Sequence, residues 1–378
     1  MIKTNMVSRG SNLLKVFAHL MKEVVNPEFC LGCGACTASC IHRVLDMADE
    51  RPKLTGRCEL CSVCYYQCPQ IVGHGELERH VFGRNATAKE TIGIHQRAVS
   101  AQTSDDEIRT RCQDGGAVTS LLASLLEADF IDGAVVTASD EWRPISKVAT
   151  TRAELLECAG SKYSRGGVLL GLRDAVELYS CERVAIVGLP CQIKAVRRMQ
   201  ASELAVYRLT DAIKLCIGLF CMESFPYEGF SKRVIEGKLN IKLAEVVKFD
   251  IKRGRFLIYR RGKPKRELAL NAIEKVVDTP CKLCDDFAAE LSDISVGAVG
   301  SPLGRSTVLL RTRVGAEAFE FAERTRTFDV RKIETVKPGI GLVERLSVSK
   351  KRAAKEEIER MRRSGKPFPP RLQEESTP

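Results

Sequence analysis

The chain has 378 residues, of which 44% are hydrophobic and 16 are cysteine, and its formal net charge is +11. Length and apolar content predict two or three domains with a sizeable core, which excludes a small disulfide scaffold and a disordered chain. Thiols in this number predict a reducing, cytoplasmic location, with the cytoplasmic face of a membrane as an alternative.

In chain order, residues 11–25 (SNLLKVFAHLMKEVV) have helical apolar spacing broken by Lys15, His19, Lys22 and Glu23. Residues 1–25 are therefore assigned to a short amphipathic helix, lying either on its own protein or on a partner or membrane surface. No stretch approaches 18 apolar residues, so no transmembrane segment is expected, and no small-residue cleavage site marks a signal peptide.

Residues 26–92 hold a doubled cysteine run and a connector. Cys30, Cys33, Cys36 and Cys40 form Cys-x2-Cys-x2-Cys-x3-Cys; Cys58, Cys61, Cys64 and Cys68 repeat it, and Pro69 follows. This is the ligand run of bacterial-type ferredoxins with two 4Fe–4S clusters, in which the fourth cysteine of each run ligates the other cluster. The expected sets are Cys30, Cys33, Cys36 and Cys68 for one cluster, and Cys58, Cys61, Cys64 and Cys40 for the other. Gly32, Gly34, Ala35 and Ala38 suit a loop whose backbone N–H groups approach sulfur. Ile41 stands where the pattern has proline after Cys40. Zinc also takes Cys-x2-Cys pairs, but four ligands suffice for it and a doubled run is not required.

From Ile94 onward, strand and helix signals alternate. Strands are expected at Ile131–Ala138, Arg183–Val187, Ile213–Phe220, Ile294–Val299 and Thr307–Leu310. Helices are expected at Ala117–Ala128, Val168–Leu178, Gln192–Met199, Tyr227–Ile235 and Ala316–Thr325. The pattern predicts an α/β domain with a mostly buried sheet. Phe249–Leu270, with Arg and Lys around Phe256–Tyr259, reads as an exposed hairpin. No Gly-x-Gly-x-x-Gly follows a strand, so nothing supports NAD. Between Arg345 and Arg371 ten Lys/Arg face three Glu. Residues 346–378 therefore read as a basic tail, either a solvated helix with a disordered end or a docking element for an acidic partner or membrane surface. Nucleic acid is not an expected partner: the basic segments carry no aromatic-flanked element and no zinc-finger histidines.

Eight cysteines lie outside the doubled run. Cys158, Cys181 and Cys216 read as core. Cys191 sits at a strand-to-helix turn made by Gly188 and Pro190, Cys221 ends another strand, and Cys281 and Cys284 form Pro-Cys-x2-Cys-Asp. Functional groups gather beyond the carboxyl ends of parallel strands, so these four thiols can converge. Spacing alone leaves a third cluster, a zinc site and a redox dithiol at Cys281/Cys284 all open.

The ordered blocks CQDGGAVTSLLASLLEADFIDGAVV (112–136), GSKYS (160–164), VAIVGLPCQIKAVRR (184–198), IGLFCMESF (217–225), CKLCDDFAAELSDISVGAVG (281–300) and STVLLRTRVG (306–315) resemble the family of coenzyme F420 hydrogenase/dehydrogenase beta subunits. With a doubled ferredoxin run in front, the arrangement is most similar to the F420H2 dehydrogenase branch. The resemblance implies that residues 93–345 form a domain holding FAD and a 4Fe–4S cluster, with F420 as substrate. It implies Cys191, Cys221, Cys281 and Cys284 as ligands of that third cluster. For the flavin it points to Gly115, Gly116 and Thr119 at a helix N-terminus, where a pyrophosphate fits, and to Lys162 and Tyr163 beside the ring. Read without the family, the glycines are a helix-start turn and Lys162 is a loop residue. Lys162, Arg165 and Arg305 are candidates for the anionic tail of F420. The expected activity is electron transfer between F420H2 and one-electron acceptors through FAD and three clusters. The partner would be a ferredoxin or the subunits of a larger, membrane-associated complex. The alternatives are a ferredoxin-fed flavin reductase of another organic substrate, like the family's chlorophyll reductases, and a subunit with no activity alone.

Overall fold

The computed structural model describes residues 14–252 and 254–373; part of the expected N-terminal helix, residues 1–13, lies outside them. From Phe17 a helical turn (Phe17–Leu20) runs into a π-helical turn (Met21–Val25). Phe17, Leu20, Val24 and Val25 are buried against Tyr65 and the thiols of Cys40, Cys64 and Cys68. Within the described residues this amphipathic segment lies on its own chain. Lys15 anchors it, reaching Glu23 at 2.8 Å and the Tyr65 hydroxyl at 3.1 Å.

The two cysteine runs each end in a one-turn helix, Ala35–Ala38 and Val63–Tyr66. Between them β1 (Leu45–Ala48) and β2 (Arg51–Leu54) form a hairpin, with Ala48 opposite Arg51. Asp49 and Glu50 at its tip have φ of 47° and 61°, the paired left-handed turn that suits the strand twist. Helix His74–Phe82 follows and stops at Gly83, whose φ of 73° ends it.

The larger unit is a mixed eight-stranded sheet. Its strands are β3 (Arg97–Thr103), β4 (Gly133–Asp140), β5 (Arg143–Ala149), β6 (Val184–Gly188), β7 (Ile213–Leu219), β11 (Ile294–Gly297), β12 (Ser306–Leu310) and β13 (Phe328–Lys332). They lie in the order β13-β3-β12-β11-β7-β6-β4-β5. The centre β4-β6-β7-β11 is parallel, and both flanks are antiparallel. Central strands such as β6 (VAIVG) are buried throughout, because helices cover both faces. Leu121, Leu125 and Phe319 pack one face with Val187 and Ile217. Leu172, Ile193, Val196 and Met199 pack the other with Val184 and Ile186. Cys158, Cys181 and Cys216 are buried in these two cores. All five expected strands are present. β5 and β13 carry no apolar run, since edge strands show one face to solvent, whereas β3 lies inside the sheet and its run is broken by the buried polar residues Ser100 and Thr103; Pro144 is tolerated because β5 is an edge.

The stretch read as an exposed hairpin is a three-stranded sheet, β8 (Val246–Lys252), β9 (Arg255–Arg260) and β10 (Lys263–Ala269), in the order β10-β9-β8. It is not exposed on both sides. Phe256 and Ile258 are fully buried against Phe225, Phe230 and Phe249, and the charged edge strand β10 faces water along most of its length. The helix expected at Tyr227–Ile235 is a π-helix, Glu228–Lys238.

The basic tail is also more closely bound than its composition indicates. Helix Ile340–Arg363 turns Val343, Ser347, Lys350, Ala354 and Met361 inward at spacings of three, four and seven. Beyond it, the Arg371 guanidinium donates to Gln70 Oε1 at 2.7 Å and to the Leu283 carbonyl at 2.8 Å. Among the described residues no helix is long and apolar enough to cross a membrane.

Arg311 ties the start of the sheet to the segment before β11. Its guanidinium is buried and donates to the carbonyls of Ile94 (2.8 Å), Ile92 (2.9 Å) and Ala288 (3.0 Å) and to Ser295 Oγ (2.6 Å). Arg311→Met keeps the apolar stem and strands three buried carbonyls, so a loss of at least about 3 kcal/mol is expected. A denaturation midpoint within error of the parent protein would show that water replaces the guanidinium.

Candidate functional site

The N-terminal cysteines line two separate cavities. Cys30, Cys33, Cys36 and Cys68 surround one, together with Gly32, Gly34 and Pro69. Cys40, Cys58, Cys61 and Cys64 surround another. Each set takes three cysteines from one loop and one from beyond the other loop's helix. Burial pushes the Cys33 thiol up to about 12. Burial likewise raises Cys36, and its neighbours Cys30, Cys33 and Cys68 raise it further. Cys64 is driven to about 12 by burial, then by Cys61, Cys58 and Cys40. Thiols crowded this way lose their protons to solvent only when a cation stabilises the thiolates that form.

Loop shape repeats where sequence does not. Gly32 and Gly34 have φ of 63° and 85°, and at the same places in the second loop Leu60 and Ser62 have 53° and 68°. Two non-glycine residues in left-handed conformations are held there by the loop's wrap around its cavity. The first loop also aims an N–H at sulfur: Gly32 N lies 3.5 Å from Cys30 Sγ.

The third quartet forms beyond the strand ends of the parallel centre. Cys191 lies in the first turn of helix Pro190–Ala201, just past β6; Cys221 follows β7; Cys281 lies in the turn Thr279–Lys282 and Cys284 just after it. Burial raises the Cys191 thiol, as do Cys284, Cys281 and Cys221 in turn, so the four are neighbours. Burial pushes Cys221 up to about 12. Four thiolates on one zinc at 2.3 Å would sit about 3.8 Å apart. Among the described residues, no three cysteine sulfurs lie within 4.8 Å of one another. All three quartets are therefore too open for a single tetrahedral ion and fit a larger polynuclear group.

Two cations that sequence reasoning did not assign to this quartet flank it. Lys350, from the C-terminal helix, donates to the carbonyls of Cys221 at 2.6 Å and Asp286 at 2.9 Å. Burial opposes its charge, but Cys284, Cys221 and Asp286 outweigh burial and hold its pKa above the usual range. Arg165 is buried, paired with Asp278, and its guanidinium lies 3.8 Å from Cys281 Sγ. Lys350 is hidden in a charge-rich segment; only its inward helical register sets it apart.

The residues expected around a flavin come together in part. Gly116 (φ 70°) caps helix Ala117–Glu127 with no side-chain cap, so its first N–H groups are open, and Thr119 is half-buried on the first turn. Gly115 has a packing reason: a Cβ would lie 2.5 Å from Ser306 N and 2.6 Å from Ala101 O. The GSKYS loop runs beside this turn. A Cβ on Gly160 would lie 3.7 Å from the Arg111 carbonyl. Burial raises the Tyr163 phenol, and Asp250 and Asp114 add to the shift. Tyr163 meets Phe256 edge to face at 5.3 Å. Lys162 is turned to its own chain, donating to the carbonyls of Cys158, Ala159 (3.2 Å) and Gly160 (2.9 Å). Burial lowers its pKa to about 8. Arg305 is likewise engaged, with Asp329 at 2.6 Å and the Ser100 carbonyl at 2.8 Å. Of the three cations considered for an anionic tail, Arg165 lies instead beside the third quartet.

Residues 98–172 and 181–336 match the N- and C-terminal parts of the family described as coenzyme F420 hydrogenase/dehydrogenase, beta subunit. The coenzyme F420 hydrogenase subunit beta of Methanothermobacter thermautotrophicus is 39% identical over 280 residues, 74% of this chain and 99% of that one. One of the subunits of the F(420)H(2) dehydrogenase of Methanosarcina mazei is 29% identical, over 89% of this chain and 93% of its own. A chain of the F420-reducing [NiFe] hydrogenase complex from Methanosarcina barkeri superposes with a TM-score of 0.69 at 33% identity, covering 73% of this chain and 95% of that one.

The two loops differ in what a substitution does. Ser62→Gly removes a left-handed strain and a buried hydroxyl without a partner, so stability is expected to hold or rise by up to about 1 kcal/mol. Gly34→Ala adds that strain and brings a Cβ to 3.2 Å from Leu170 Cγ; a loss of about 1–2 kcal/mol is expected. Denaturation midpoints at equal iron content decide it, and the reverse order would refute the shared loop geometry.

Proposed function

The chain belongs to the family of coenzyme F420 hydrogenase/dehydrogenase beta subunits, and on that premise we propose that it is an F420-dependent oxidoreductase that uses FAD and three 4Fe–4S clusters. The observation that carries this reading is the course of one segment, Gly160–Arg165. At one end it lies beside the Arg111–Gly116 turn, and at the other Arg165 reaches Cys281. In this reading one six-residue loop touches the flavin site at one end and the cysteine quartet at the other.

In this reading Cys191, Cys221, Cys281 and Cys284 hold one cluster, Cys30, Cys33, Cys36 and Cys68 a second, and Cys40, Cys58, Cys61 and Cys64 a third. The open N–H groups after Gly116 and the Thr119 hydroxyl take the flavin pyrophosphate. FAD, when bound, supplies conversion between hydride transfer and single-electron transfer. The chain's own part is to position and to exclude water. Tyr163 walls the flavin site with Phe256 behind it. Lys162 fixes the loop by holding the carbonyls of Cys158, Ala159 and Gly160, just after helix Arg152–Glu157. Arg165 and Asp278 fix Cys281, and Lys350 holds Cys221.

Packing supports a connected path: Cys191 packs in the core that contains Cys33, and Leu283, between Cys281 and Cys284, packs in the cluster that holds cysteines of both N-terminal sets. The one-electron partner in this reading is a ferredoxin or another subunit.

The test is anaerobic. The full chain, reconstituted with iron, sulfide and FAD, is given F420H2 and methyl viologen. Growth of F420 fluorescence together with viologen reduction is expected. Bound flavin and clusters with flat fluorescence would overturn the F420 assignment in favour of a reductase of another substrate. Lys350→Met is expected to lower the potential of one cluster and leave two unchanged, because a buried cation favours the reduced state. An EPR redox titration in which all three signals keep their potentials would remove Lys350 from the cluster environment.

A further inference from the structure

Outside the cysteine sites, one compact group of ligating side chains joins the N-terminal segment to the sheet. His74 and Glu78 lie four residues apart on helix His74–Phe82, hence on one face. Glu290 comes from the segment between Cys284 and β11. One ligand atom from each lies within 4.8 Å of the others, the sole such group among the described residues. Glu78 and Glu290 are each only 4% exposed.

Their hydrogen bonding leaves a gap at the centre. Glu78 Oε2 accepts from Ala86 N at 2.8 Å, while Oε1 is buried with no partner. His74 Nε2 is buried and also without a hydrogen-bond partner. It stands 3.8 Å from Glu290 Oε2, too far for a hydrogen bond. A metal ion about 2.0–2.2 Å from nitrogen and oxygen spans such a gap.

The backbone is arranged to bring Glu290 there. Its N–H donates to both Asp286 carboxylate oxygens, at 3.1 and 3.0 Å. Gly93 clears its side chain, since a Cβ on Gly93 would lie 2.8 Å from Glu290 Cβ. Lys351 Nζ meets Glu290 Oε1 at 2.7 Å and the Thr91 carbonyl at 2.9 Å. That cation engages one oxygen of one carboxylate and leaves His74 Nε2 and Glu78 Oε1 unserved.

We propose that His74, Glu78 and Glu290 bind a divalent metal ion of the Mn²⁺, Fe²⁺ or Zn²⁺ class, clipping helix His74–Phe82 to the segment that follows Cys284. One imidazole with two carboxylates selects that class over soft-metal or Ca²⁺ sites. The role is structural and independent of F420.

Mn²⁺ is the probe, because it is EPR-visible and avoids thiolates. Titrated into the anaerobically purified, cluster-loaded full chain, it is expected to bind at one equivalent and to raise the unfolding temperature. Glu78→Gln and His74→Ala should each weaken binding at least tenfold, with the visible cluster absorption unchanged as a control for folding. Lys351→Met should tighten it by removing the competing cation. No saturable binding below about 1 mM in the parent chain would overturn the site and leave a polar network closed by Lys351. Binding indifferent to Glu78→Gln and His74→Ala would overturn it equally, placing the ion elsewhere.

Discussion

Withdrawal of sulfur from water is the constraint on which the rest of this chain depends. Twelve cysteines are gathered in three sets of four, and the thiols of Cys33, Cys64 and Cys221 are each pushed up to about 12, with burial as the largest cause. A thiolate left alone in such surroundings would be costly. Each set is suited to a polynuclear cation at its centre, and with one bound, metal binding and folding would be coupled. Left-handed Leu60 and Ser62 fit the same picture, since they keep the second loop in the shape that Gly32 and Gly34 give the first.

The sheet solves a different part of the problem. Parallel strands β6 and β7 deliver Cys191 and Cys221 to one edge because their carboxyl ends point the same way. A helix begins immediately after β6, with Pro190 fitting its first turn. Cys281 and Cys284 arrive from the chain that leads into β11, which lies beside β7 in the same direction. Two strand ends and one approaching segment thus meet at a single point without any local motif. Arg165 and Lys350 then supply positive charge from two further elements, which offsets the repulsion among the thiols.

Much of this was legible in the sequence, and the part that was not has a common cause. The doubled run could be read because its spacing is local: three cysteines within seven residues must share a loop. Strands β4, β6, β7, β11 and β12 could be read because burial on both faces leaves an unbroken apolar run. β5 and β13 were missed because they are edge strands, β3 because buried Ser100 and Thr103 interrupt its apolar run, and β9 was misread because its buried FLI lies between charged ends. The Cys191/Cys221/Cys281/Cys284 convergence was only one option among three from spacing, since it depends on strand order, which no window of sequence contains. Lys162 illustrates the limit at the site itself. Its position in GSKYS pointed to a ligand contact, whereas the side chain satisfies three carbonyls of its own loop.

The C-terminal helix shows why composition misled most where charge was densest. Read as a block, the segment after Arg345 is a solvated basic tail. Read by register, it is a brace with two adjacent lysines doing separate tasks. A helix turns about 100° per residue, so Lys350 and Lys351 leave the backbone in different directions. Lys350 enters the third quartet through the carbonyls of Cys221 and Asp286. Lys351 crosses to Glu290 and Thr91. Asp286 and Glu290 belong to the same short segment, and the Glu290 N–H is bonded to the Asp286 carboxylate. One helical turn therefore grips both ends of the chain that runs from Cys284 to the sheet, and any shift of the helix along its axis would disturb the third quartet and the His74/Glu78/Glu290 group together. The charge of this helix is in part a means of fixing buried acceptors, which is why it cannot be assigned to solvent or to a partner by counting lysines.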